Sequence, residues 1–125
     1  MKVNIDTSVL RNAANEYQEQ ITNFTSDLVR IPSVNGRDTE SLVAERIQVE
    51  ANQLGFESRL LALQPERPNI LVTYGKGAER FALIGHMDTV AEGNPASWST
   101  HPFAAEVKEG RILGRGAADN KAGIA

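Results

Sequence analysis

An α/β sandwich is the fold class this sequence predicts, on three observations. Two amphipathic helical patterns come first, with apolar residues recurring at helical spacing. Three short runs rich in branched and aromatic residues follow, separated by Pro65, Pro68, Gly75 and Gly77. The third run, Phe81–Ala82–Leu83–Ile84, is apolar without alternation, as expected of a central strand covered on both faces.

The elements follow in order. Tyr17, Ile21, Phe24 and Leu28 fall on one helical face, opposite Glu16, Glu19 and Asp27, and Ile31–Pro32 ends that helix. A second helix starts with Asp38 or Thr39 as N-cap and Glu40 in its first turn, buries Val43, Ile47, Ala51 and Leu54, and stops at Gly55. Strands are expected over 56–63, 69–74 and 81–86. A small, polar loop around Trp98 leads to a hairpin over 107–113 that turns at Glu109–Gly110, and Lys121–Ala125 reads as the beginning of a helix with no further turns. The chain is therefore expected to stop in mid-element.

Composition narrows the function. With 125 residues, 41% hydrophobic and 23% charged, the chain is long enough for a core and ordinary for a globular domain, and no stretch reaches transmembrane length. A formal charge of −3 offers no basic surface for a phosphate backbone, so nucleic acid and membrane are not expected partners, whereas small molecules or peptides are. There is no cysteine, so any metal must be held by His and carboxylate ligands. The first residues lack the apolar stretch of a secretory signal, and the expected location is the cytoplasm.

Two segments carry chemistry. His86 and Asp88 flank Met87, so on a strand they point to one face at its carboxyl end, where a carboxylate can fix the tautomer of a metal-bound imidazole. In Gly114–Arg115–Gly116–Ala117–Ala118–Asp119 the glycines allow close approaches that would let Asp119 enter a crowded site. Alone, the first segment is better read as a satisfied strand-end histidine with an aspartate starting a turn, and the second at least as well as a flexible turn with Asp119 as a helix N-cap. His101 reads as a surface residue, Arg115 as a brace for its loop, Lys121 as solvated or locally paired, and Glu92, Glu106 and Glu109 as surface charges. Gly75–Lys76–Gly77 lacks the length and the Ser/Thr of a phosphate loop.

Taken together, with Trp98, Pro102–Phe103 and Gly110–Arg111 between them, the two segments resemble the first half of the co-catalytic zinc metallohydrolases. That family includes acetylornithine deacetylase, succinyl-diaminopimelate desuccinylase, aminoacylase and glutamate carboxypeptidase. Leu28–Val29–Arg30–Ile31–Pro32–Ser33–Val34 resembles its amino-terminal signature, so the similarity runs from about Tyr17 to the end. The resemblance implies a partial three-layer α/β/α sandwich with a mixed sheet, residues 1–125 being the amino-terminal portion of one catalytic domain without the second, lid or dimerisation domain. It implies that His86 binds one metal, that Asp88 orients His86 as part of the catalytic machinery, that Asp119 bridges two Zn2+ ions (with Co2+ or Mn2+ as substitutes), and that the Asp119–Asn120 peptide is cis. Ala122 departs from the glycine of many relatives, which bears on helix packing only. The implied activity is hydrolysis of the amide bond of N-acyl amino acids or small peptides, in a full-length form that is a homodimer. Because the family's catalytic base and remaining ligands come from further downstream, the chain alone is expected to be inactive. The alternative is a non-catalytic interaction or scaffold module that keeps the fold and a partial metal site.

Overall fold

The computed structural model describes residues 6–125. A helix that apolar spacing does not reveal, α1 (Thr7–Glu16), comes first, capped by the Asp6 carboxylate, which accepts from the Ser8 N–H at 2.9 Å. None of its residues is buried and Val9 and Leu10 stay exposed, so its cap and local propensity hold it rather than packing.

The expected first amphipathic helix is α2 (Gln18–Arg30), and Ile31 turns extended ahead of Pro32 to end it. Of its predicted face Phe24 and Leu28 are buried, while Tyr17 and Ile21 remain exposed. The next helix, α3 (Ser41–Gln53), buries Val43, Ala44, Ile47 and Ala51, but Leu54 lies beyond its end and is exposed. Its start falls slightly later than expected: the Thr39 hydroxyl accepts from the Ser41 N–H at 3.1 Å, while the Asp38 carboxylate is drawn to the Val34 N–H at 3.0 Å.

Strands β1 (Glu57–Leu61) and β2 (Asn69–Thr73) pair antiparallel in the register Glu57↔Thr73 to Leu61↔Asn69, with α3 against them. Phe24, Leu28, Val43 and Ile47 form the core, flanked by Ile31, Ile70, Met87 and Ile124. The hairpin is present as β3 (Glu106–Lys108) and β4 (Arg111–Leu113). Glu109 and Gly110, at φ 50° and 72°, both take the left-handed conformations that a tight type I′ connection requires.

Helix and strand are mixed as an α/β chain requires, but the third expected strand is corrected. Residues 81–86 form no strand, and Phe81, Leu83 and Ile84 are 89%, 88% and 94% exposed. A central strand exists only where neighbours pair its two edges and cover its two faces, and no described residue does so here. Among the described residues both sheets are accordingly two-stranded and antiparallel, and the parallel pairing of a mixed sheet is confined to one bridge, Val34↔Thr89. That bridge matters. The Thr89 N–H donates to the Ser33 carbonyl (2.8 Å), the Asn35 N–H to the Thr89 carbonyl (2.9 Å) and the Ser33 hydroxyl to the Met87 carbonyl (2.7 Å), which ties the segment after α2 to the segment after His86.

Candidate metal centre

His86 lies in a segment outside any helix or strand, and the side chain of Asp88, two residues on, meets its ring, on the shared side that the alternation predicts. The imidazole Nδ1 lies 3.0 Å from the Asp88 carbonyl oxygen and 3.2 Å from Asp88 Oδ1. Nε2 faces Asp119 Oδ1 at 2.9 Å, across 33 residues of sequence. The three residues named from sequence are therefore brought together. The Asp119 hydrogen bond is the main reason that the His86 pKa is raised above its ordinary value. Together with Thr89 and Arg115 they line a cavity of about 230 Å³.

Asp119 reaches this place through a tight loop. Gly114 follows β4, and a Cβ there would collide with the Val29 side chain; Gly116, at φ 80°, presses against Thr89. A π-type turn (Ala117–Lys121), with non-helical Asp119 and Asn120, leads into the short α4 (Ala122–Ile124). The Asp119–Asn120 peptide is cis, as the resemblance implies.

Lys121 is not solvated. It is 0% exposed, and its Nζ donates to the carbonyls of Leu28 (2.8 Å) and Ile31 (2.6 Å), so it closes the carboxyl end of α2. Burial pushes its pKa down to about 8. Arg115 braces its loop as expected, with its guanidinium 5.3 Å from the Trp98 ring centre and its main-chain N–H on the Pro102 carbonyl. His101 is exposed. Glu92 is more than a surface charge: both its oxygens accept from Arg37 Nη1, at 2.9 and 3.0 Å, and its carbonyl accepts from Trp98 Nε1.

Sequence reasoning missed Asn35. Its Nδ2 donates to Asp88 Oδ2 at 3.2 Å, while its Oδ1 accepts from Arg67 Nη2 at 2.8 Å. Asn35 directly follows the Leu28–Val34 signature, which was a signal of sorts, but Arg67 sits between two prolines in an unremarkable loop and carried none.

An imidazole nitrogen and a carboxylate oxygen converging on one point suit a divalent cation of the zinc type. Among the described residues, however, no group of three or more His, Asp or Glu surrounds such a point, because the Asp88 carboxylate is turned to Nδ1. The donor set fits a metal as two ligands backed by a third residue.

The family model for peptidase family M20/M25/M40 matches residues 82–125, the stretch that holds all three residues. The succinyl-diaminopimelate desuccinylase of Cereibacter sphaeroides is 43% identical over 105 residues, which is 82% of this chain and 27% of the relative. That of Rhodospirillum centenum is 40% identical over 103 residues, 79% of this chain and 26% of the relative. A probable succinyl-diaminopimelate desuccinylase of Staphylococcus epidermidis is 32% identical over 99 residues, covering 79% and 24%. The chain thus spans about a quarter of the length of these curated relatives. With the site segment matched and the similarity extending back through the helices that support it, the chain is similar to peptidase family M20/M25/M40.

Proposed function

We propose that residues 1–125 form the amino-terminal part of the catalytic domain of a metal-dependent amide hydrolase acting on N-acyl amino acids or small peptides. The observation that carries this reading is the meeting of His86 Nε2 and Asp119 Oδ1 at 2.9 Å, with Nδ1 of the same ring held by Asp88. His86 and Asp119 would hold zinc, or another divalent ion, and Asp88 would orient the imidazole. A metal held there supplies Lewis-acid polarisation of the amide carbonyl. The chain's own part is to present Nε2 and Oδ1 in register and to keep the ring from turning. Similarity to succinyl-diaminopimelate desuccinylases supports a succinylated amine as the first substrate to try. The cytoplasm is the proposed location; among the described residues no helix is long and apolar enough to cross a membrane.

In this reading the 125 residues alone do not turn over substrate, because no described carboxylate stands free beside the pair to act as base. The test has two arms. The purified chain is assayed with zinc against N-succinyl and N-acetyl amino acids, and chelator-sensitive hydrolysis would overturn the inactivity. The reading frame beyond codon 125 is then sequenced. A downstream Glu–Glu pair and a late histidine support the enzyme, and a stop codon there favours a non-catalytic module.

A further inference from the structure

We propose that Arg67 and Asn35 are positioning residues that fix Asp88 and so hold the proton of neutral His86 on Nδ1, leaving Nε2 as the free lone pair. Nδ1 faces two atoms of Asp88, a carbonyl oxygen at 3.0 Å and a carboxylate oxygen at 3.2 Å, and both are acceptors, so Nδ1 must carry a proton to bond with either. Nε2 also faces an acceptor, Asp119 Oδ1. Neutral imidazole has one proton, and the two aspartates compete for it. Asp119 is 85% exposed on its side chain and can be hydrated instead, whereas Asp88 is 36% exposed and held.

What holds Asp88 is a chain of hydrogen bonds with a fixed polarity. Arg67 has only donors. Its Nη2 gives to Glu40 Oε1 at 2.7 Å and to Asn35 Oδ1 at 2.8 Å, so the acceptor end of the Asn35 amide is committed and its NH2 end must face Asp88 Oδ2, at 3.2 Å. Were the amide reversed, oxygen would face oxygen at Asp88 and nitrogen would face nitrogen at Arg67. Each member is anchored independently. Asn35 is tied to Thr89 through its main-chain N–H, and Glu40 is 6% exposed at the start of α3. The loop bearing Arg67 is stapled to that same start by the Glu40 N–H and the Thr39 hydroxyl on the Glu66 carbonyl and by the Ser41 hydroxyl on the Pro65 carbonyl. A histidine that ligates a metal through one nitrogen is tuned by what its other nitrogen donates to, and here that setting originates at Arg67.

The inference rests on the proposed role of His86 only for its consequence, since the tautomer is read without metal. The chain has two histidines, so 15N spectra of the zinc-free 125-residue protein resolve both imidazoles, with His86→Gln for assignment. Spectra are taken at one pH of about 9, more than two units above the ordinary imidazole value of about 6.5. The wild type should show His86 mostly as Nδ1–H. Arg67→Met and Asn35→Leu should give a mixed or reversed tautomer and weaken zinc binding, followed on the His86 resonances, by roughly 10-fold. Arg67→Lys, which keeps a donor, should retain Nδ1–H. If Asn35→Leu does not fold, Asn35→Asp keeps the shape, turns an acceptor on Asp88 and should likewise lose Nδ1–H. An unchanged tautomer in the variants that break the chain, with only a lower unfolding midpoint, would overturn the proposal, as would an Nε2–H wild type. A wild type that is Nδ1–H but does not bind zinc would instead sink the metal reading and leave this one standing.

Discussion

Lys121→Met keeps the length of the side chain and removes its charge, which takes the lysine donor from the Ile31 carbonyl and leaves the Leu28 carbonyl only the Ile31 N–H. The expected cost is roughly 1–3 kcal/mol, read as a lower denaturant midpoint at unchanged slope, because buried acceptors that lose their partner bear their desolvation in full. Sequence could not foresee this role, since nothing in Asp119–Asn120–Lys121 tells a solvated amine from one that closes a helix 90 residues away. The meeting of His86, Asp88 and Asp119, by contrast, was legible in residue identity, through the His-x-Asp pair and the glycine-flexed loop ahead of Asp119. In a full-length enzyme Asp88→Asn should lower metal affinity or activity by roughly 10- to 100-fold. Wild-type turnover in that variant would remove Asp88 from the site.

Elements were legible in proportion to how locally they are determined. The two packed helices and the hairpin declare themselves through periodicity, Ile31–Pro32, Gly55 and Glu109–Gly110, all within a few residues. The helix α1 is set by its Asp6 cap without an apolar face, so a reading built on buried periodicity passed over it. The 81–86 run failed in the opposite way: its composition is that of a strand, but a strand is a relation between segments, and no described residue pairs with it. Two tests belong at this scale. Gly116→Ala puts a side chain at φ 80° against Thr89 and should destabilise by roughly 1–3 kcal/mol, with the Asp119 loop shifted in amide spectra. The loop after α2 is fixed by the Asp38 carboxylate, whose pKa the Val34 N–H lowers below 3.8. Because the folded pKa lies under the unfolded one, this contribution is complete above pH 3.8 and is lost as pH falls through the folded value. Wild type should therefore show a loss of stability in that acid range that is smaller in Asp38→Asn, when unfolding free energy is followed against pH.

At the scale of the whole molecule, the exposed run Phe81, Leu83 and Ile84 is an apolar edge with unpaired backbone. Such an edge favours association, so sedimentation should show mass rising with concentration, and Leu83→Lys should suppress that rise without lowering the unfolding midpoint. An unchanged concentration dependence in the variant would locate the sticky surface elsewhere. The Lys121 contact couples two distant segments. Because Nζ closes on carbonyls at the end of α2, the turn that carries Asp119 and that helix end are held by the same contact. Opening of one is then opening of the other. In hydrogen exchange the amides of residues 121–125 and those of the last turn of α2 should be released together, as one cooperative unit drawn from opposite ends of the chain.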